Sequence, residues 1–306
     1  MTKHNNSHIF DDVFRTMEEH TPELMIPLIN EVFKTDYPKN AVVTRLADKR
    51  HLLLQLIETD SCLSIGNKIY HFECESNVSS GIIAIRMFQY DVAVALEEKR
   101  NENGVYVVEF PASCVIYLRH NEQTKTQEKV LIRMPDGREI DYLVPALKSQ
   151  EYAKEEIFEK RLYVLLPYYI LRYEKQLEAI EKEADRRQKL LDEYDTICTQ
   201  LTNTLGKENP LGYSELHKLM TRVLDYILKK KGKTRKGVQQ VMGGHVLESW
   251  KEETLRIGHY EKLLEKVRTK VRKGKSVAQI ADELEEELPV IEEIYNRILN
   301  EDSSTI

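Results

Sequence analysis

Three carboxylates in the stretch ETDSCLSIGNKIYHFECES, residues 58–76, are of the right type and spacing to do chemistry together: Asp60, Glu73 and Glu75. The pair Gly66-Asn67 is a turn signal between two strand-like runs, and a hairpin closed there sets Asp60 roughly opposite Glu73. Strand side chains alternate between faces, so Tyr70, Phe72 and Cys74 share one face while His71, Glu73 and Glu75 share the other. Carboxylates that close repel one another. A hard divalent cation such as Mg²⁺ or Mn²⁺ prefers carboxylate oxygen and would relieve the repulsion. A solvated acidic sheet face explains the same pattern without a metal. No Ser/His/Asp arrangement and no glycine-rich phosphate loop stands out, so acyl transfer and nucleotide hydrolysis have little support.

The elements that must position these acids belong to a mixed α/β region. FDDVFRTMEEHTPELMIPLINEVF predicts two short helices interrupted near Pro22 and Pro27. HLLLQLIETDSCLSI and KIYHFECES read as adjacent strands. GIIAIRMFQYDVAVALEEK is apolar nearly all round, which predicts a helix packed under a sheet and against other helices. GVYVVEFPASCVIYLR, broken at Pro111, EKVLIRM and REIDYLVPAL supply further strands. The order helix, hairpin, helix, strand, strand defines an α/β domain ending near Pro145 to Ser149.

Beyond it the pattern is helical. A three-four apolar spacing runs from Tyr163 to Leu205, missing only at Arg187, and predicts a long helix. That helix packs within its own chain or against a second copy as a homodimer. Gly206 and Pro210 end it, and a further helix from Gly212 is expected to finish in the basic run KKKGKTRKG. The expected divisions are thus 8–148, a long helical segment 151–206, and a helical region 211–300.

With 306 residues, 41% of them hydrophobic, the chain can bury a sizeable core. No apolar stretch reaches membrane-span length, and MTKHNNSH lacks a signal-peptide core, so no membrane association and a cytoplasmic location are expected. The four cysteines are far apart and read as reduced core thiols rather than zinc ligands or disulfides. A net charge of −6 argues against polyanion binding by the whole surface.

The stretch ETDSCLSIGNKIYHFECES followed by AIRMFQYD, behind the helices FDDVFRTM and PELMIPLINEVF, resembles the PD-(D/E)XK nuclease superfamily. It is similar in particular to the recombination-promoting nuclease (Rpn) and PD-(D/E)XK nuclease family transposases. The resemblance covers about residues 8–148 and implies a restriction-endonuclease-like sheet and Mg²⁺-dependent phosphodiester hydrolysis. It makes Asp60 and Glu73 the metal-binding acids, with the Cys74 carbonyl as a further oxygen and Asp12 as an assisting acid. For Asp12, an ordinary acid at a helix N-terminus is the alternative. Arg86 and Tyr90, at i and i+4 on the following helix, reach a phosphate or anchor helix to sheet. Glu75 departs from the pattern, since it stands where the superfamily has Lys and these relatives commonly Gln. A carboxylate cannot donate the positive charge a lysine lends to the reacting phosphate. Glu75 then binds a second metal, acts as a general base, or marks a site that no longer cuts.

DNA contacts are expected at Lys229, Lys230, Lys231, Lys233, Arg235 and Lys236, and at the bases from Lys266 to Lys275, unless these are solvated helix ends. GKSVAQIADELEEELPVIEEIYNRI resembles a small helix-turn-helix with Ser276 as N-cap and Ile280, Ala281 and Leu284 buried. Glu285 to Glu287, Glu292 and Glu293 would be repelled by phosphates, which favours a packing pair instead. The function expected is a Mg²⁺-dependent DNA endonuclease. The alternatives are a catalytically silent DNA-binding or assembly protein that keeps the fold, and a structural coiled-coil protein.

Overall fold

The computed structural model describes residues 8–46, 49–52, 55–76, 82–271, 275–284, 286, 288, 290–292 and 294–295. The chain divides into two compact units, Met1–Val246 and Leu247–Ile306. The first opens with α1 (His8–His20), a 3₁₀ turn (Pro22–Met25) and α2 (Ile26–Phe33). Pro22 marks the break between the helices. Pro27 falls in the first turn of α2, where its missing N–H leaves no bond unmade, so it interrupts nothing.

Next come β1 (Val43–Arg45), β2 (Lys49–Leu52), β3 (Gln55–Glu58), β4 (Ser61–Ile65) and β5 (Lys68–Glu75). The helix α3 (Ile83–Glu97) precedes β6 (Arg100–Glu102), β7 (Val105–Val107), β8 (Ala112–Tyr117), β9 (Gln127–Arg133) and β10 (Glu139–Lys148). Six strands form a mixed sheet in the order β1-β4-β5-β8-β10-β9. β5, β8 and β10 are parallel neighbours, and the other pairings are antiparallel. The hairpin turns at Gly66-Asn67 as expected, with Ile65 opposite Lys68 and Gly66 at φ +60°.

One strand reading needs correction. HLLLQLIETDSCLSI is not one strand: β3 pairs with β2 in a separate hairpin, and only β4 joins the main sheet. GVYVV, read as strand before the break at Pro111, supplies β7 and pairs with β6 in a hairpin turned at Asn103-Gly104, both at positive φ, an asparagine-glycine turn signal at the head of that run.

The two sheet faces are covered differently. Tyr70, Phe72 and Cys74 enter the main core with Phe10, Phe14 and Met17 of α1. On the opposite face α3 packs through Ile83 and Met87 on Val115, Tyr117 and Val144. α3 packs on the sheet as expected, but its outer side is not covered as its apolar pattern suggested. Its outer positions Ile85 and Leu96 are 48% and 44% exposed.

The helical region comprises α4 (Lys154–Glu159), a 3₁₀ helix (Tyr163–Gln176), α5 (Leu177–Lys182), α6 (Ala184–Asn203), α7 (Leu205–Glu208), α8 (Pro210–Ile227), α9 (Gly232–Val271) and α10 (Val277–Leu284). The single long helix expected from Tyr163 to Leu205 is therefore broken. Pro167 cannot sit inside an α-helix without a lost bond and a clash; here it lies in a 3₁₀ segment whose residues Tyr163 to Leu171 are all buried. Extended backbone at Glu183 (φ −97°, ψ 121°) makes the second break. Leu166, Ile170, Ile180, Tyr194, Cys198 and Leu201 of the seam lie in the same core as the sheet, so the seam packs within its own chain.

The basic run does not finish a helix. α8 stops at Ile227, and α9 starts within the run at Gly232, where Glu181 accepts the N–H groups of Lys233 and Thr234 at 2.9 Å each. In the second unit, Leu263, Val267, Ile280, Ala281, Ile291 and Ile294 form a small core, with Leu284 partly buried against it. Ser276 and Gln279 exchange hydrogen bonds as a capping box, in keeping with the N-cap expectation. Glu285, Glu287 and Glu293 lie outside the described residues, as do Arg272 and Lys273.

Candidate acidic site

Asp60 sits just before β4, and the register that places Ser61 opposite Phe72 brings it beside Glu73. The two acids are linked through backbone. Glu73 Oε1 accepts the Asp60 N–H at 2.9 Å, and Asp60 Oδ2 accepts the Cys74 N–H at 3.0 Å. Both residues are buried, at 6% and 2% exposure. Each remaining oxygen faces an arginine from a helix: Arg15 of α1 donates to Asp60 Oδ1 at 3.2 Å, and Arg86 of α3 donates to Glu73 Oε2 at 3.4 Å. The same Arg86 nitrogen lies 3.5 Å from Glu75 Oε2, so one guanidinium spans both acids of β5. Arg86 is only partly buried, with 37% of its side chain exposed, and is the most open of these ion-paired residues.

Behind Glu73 lies a second layer that the alternation of the strand pointed to only through His71. His71 is fully buried, with Nε2 3.1 Å from Glu73 Oε1 and Nδ1 2.7 Å from Asp91 Oδ1 of α3. Carboxylates accept, so both ring nitrogens donate. Asp91 Oδ2 accepts from Ser113 of β8 at 2.7 Å and from the Tyr142 hydroxyl of β10. Asp91 is the last residue of AIRMFQYD, and nothing in its spacing marks it as buried. An i, i+4 relation to Met87 on the sheet-facing side of α3 is the signal that could have found it.

The electrostatics follow from burial. Desolvation holds the Asp60 carboxyl well above the ordinary carboxylate range, and the charges of Glu73 and Asp11 add to that; the Cys74 N–H and Arg15 only partly oppose it. For His71 burial alone favours the neutral ring, but the hydrogen bonds and charges of Asp91 and Glu73 reverse it and push the pKa up to about 9. Tyr90 stacks at a tilt on His71, and burial together with Glu73 pushes its hydroxyl up to about 12. All four cysteines are buried free thiols, and burial holds Cys74 far from a thiolate.

The structure thus gathers Asp60, Glu73, Glu75, Arg86 and Tyr90 with the Cys74 backbone. It places Asp12 elsewhere, on the outer side of α1 at 3.4 Å from Arg222 of α8. The α1 acid that acts on Asp60 is its neighbour Asp11. In the basic run, Lys231 pairs with Glu178, and Arg235 pairs with Asp225 at 2.8 Å; Lys229, Lys230, Lys233 and Lys236 are exposed.

Among the described residues no three His, Cys, Asp or Glu side chains gather as a ready metal cage. The donor set is nevertheless of the kind a hard cation takes. Asp60 and Glu73 are adjacent carboxyl groups, burial and the neighbouring acids make the charged form of Asp60 costly, and Mg²⁺ commonly uses one or two carboxylates and completes its shell with water. A cleft of about 860 Å³ lies at the other end of β5, lined by Phe33, Lys68, Tyr70, Arg100 and Phe110, and the acids take no part in it.

The fold and site together define an α/β protein whose mixed sheet carries a buried acid–arginine group at the end of a parallel strand. Comparison with family models, with characterised proteins and with solved structures finds no match to this chain. No helix among the described residues is long and apolar enough to cross a membrane.

Proposed function

We propose that the chain is a Mg²⁺-dependent DNA endonuclease of the PD-(D/E)XK kind, acting in the cytoplasm, with a restriction-endonuclease-like sheet. The observation that carries this reading is the convergence of Asp60 and Glu73 from opposite arms of one hairpin, with Arg86 beside them and partly open to solvent. Asp60 and Glu73 would hold Mg²⁺ or Mn²⁺, with the Cys74 carbonyl as a further oxygen; when bound, the ion supplies Lewis-acid polarisation of a phosphodiester and a more acidic water. Arg86 contributes what Glu75 cannot, a fixed cation able to stabilise charge developing on phosphate oxygens. Glu75 holds that cation in place. The exposed lysines 229, 230, 233 and 236 supply salt-sensitive contacts to DNA phosphates. The resemblance to recombination-promoting nucleases is in keeping with this reading and extends it toward transposition or recombination.

A second reading rests on a specific observation. The outward oxygens of Asp60 and Glu73 already face Arg15 and Arg86, so the group is also a self-sufficient ion network that would serve a catalytically silent DNA-binding or assembly protein. Purified protein incubated with supercoiled plasmid and Mg²⁺ or Mn²⁺, beside Asp60→Ala and Glu73→Ala, separates the two. Nicking lost in both folded variants supports the nuclease. No nicking by any form, with DNA retained on a gel, supports the silent protein.

A further inference from the structure

We propose that Asp91 and His71 are positioning residues for the acidic site, and that they set Glu73 and Arg86 together. This rests on the nuclease reading and names the device that holds its parts. One carboxylate, Asp91, joins α3 to three neighbouring strands: to β5 through His71 at 2.7 Å, to β8 through Ser113 at 2.7 Å, and to β10 through the Tyr142 hydroxyl. His71 carries the link onward to Glu73 Oε1 at 3.1 Å. Asp91 and His71 are both fully buried, so no water replaces these partners without opening the helix–sheet seam.

Arg86 and Tyr90 ride on the same helix, one turn before Asp91 and next to it. A shift of α3 along the sheet therefore moves Arg86 relative to Glu73 and Glu75, while a rotation of His71 releases Glu73 Oε1. Oxygen ligands that lack such support lose orientation, and changes in supporting residues around a metal commonly cost 10- to 100-fold in affinity or activity. Tyr142 is the informative member, because its hydroxyl bonds to Asp91 while its ring packs on Phe88 and Phe110, so Tyr142→Phe removes the bond and keeps the packing.

The test measures Mn²⁺ binding by titration calorimetry and plasmid nicking as kcat and KM for the wild type, Tyr142→Phe, Ser113→Ala and Asp91→Asn, each checked for wild-type circular dichroism. The expected result is a loss of roughly 10-fold or more in Mn²⁺ affinity and in kcat for Asp91→Asn, a smaller loss in the same direction for Tyr142→Phe, and an unchanged KM for DNA. Should Asp91→Asn fail to fold, the Tyr142→Phe and Ser113→Ala results decide. A wild type that binds Mn²⁺ and nicks DNA, with folded variants indistinguishable from it, overturns the positioning role and leaves the nuclease standing. A wild type that binds no Mn²⁺ overturns both.

Discussion

Glu73 accepts from Asp60, His71 and Arg86 at once. Replacing it with Ala leaves His71 buried between one carboxylate and a void. Unpairing a buried charged group commonly costs several kcal/mol, so Glu73→Ala is expected to lose about 3 kcal/mol of stability, read from its denaturant midpoint, whereas Glu75→Ala, on a more exposed side chain, loses less than about 1 kcal/mol. A different residue sets an acid limit on the fold. His217 of α8 is buried and donates from Nε2 to the Met242 carbonyl at 3.2 Å; burial, with a small contribution from His245, pulls its pKa down to about 4. The unfolded ring titrates near 6.5, so the unfolded chain binds the extra proton between those values. Stability contributed by neutral His217 is complete above about pH 6.5 and is lost as pH falls toward about 4, by roughly 3 kcal/mol in all. Urea midpoints for the wild type and His217→Gln across that window check this, and the variant is expected to show the shallower acid loss.

At the scale of elements, the site depends on short connections with demanding backbone. The β4–β5 turn places Asp60 against Glu73 only while Gly66 holds φ +60°, and nothing lies within 4 Å of where a Cβ would stand. Gly66→Ala therefore carries a conformational cost without a clash, expected at about 1–2 kcal/mol and measurable by thermal unfolding. The α8 start behaves differently. Asn209 caps it by accepting the Gly212 N–H at 2.9 Å and also ties it to Glu23 of the first 3₁₀ turn at 2.7 Å, so Asn209→Ala is expected to cost about 1 kcal/mol or somewhat more. The β4–β5 hairpin was legible from Gly66-Asn67, whereas Pro210, read as the end of the preceding helix, opens α8 behind the Asn209 cap. The hairpin at Asn103-Gly104 carried an equally plain signal at the head of a run read as strand up to Pro111.

For the whole molecule, the decisive fact is that sheet and helices of the first unit share one core. Tyr70 and Phe72 of β5 lie in the same cluster as Leu165, Tyr168 and Ile170 of the 3₁₀ helix and Leu216 and Met220 of α8. A fragment ending at residue 148 would expose that face of the sheet. It is expected to show no cooperative unfolding in calorimetry, while the full chain does. Charge is distributed at this scale too. If the chain binds DNA as proposed, its net charge of −6 leaves the affinity to local patches, and the salt slope of binding falls by about 0.9 for every phosphate that a removed lysine leaves unneutralised. Lys229→Ala with Lys230→Ala is expected to flatten a plot of log affinity against log salt by up to about 2 without changing plasmid-nicking metal dependence.

What the sequence by itself determined is local: a two-residue turn, the alternation along KIYHFECES, the helix in GIIAIRMFQYDVAVALEEK and the capping of Ser276 all follow from backbone geometry and side-chain pattern. Tertiary structure alone decided which acids are buried. Alternation separates the two faces of β5 but does not say that both are covered. Because β5 and β8 are parallel, their connection must cross over the sheet, and α3 in that crossover seals the acid face. Burial then turns Glu73, His71 and Asp91 from a polar surface into a fixed network, raises the cost of the Asp60 charge, and selects Arg15 and Arg86 as its partners. The break in the long helix has a local cause in Pro167, while tertiary structure decided that Tyr163 to Leu171 are all buried in the core shared with the sheet and α8.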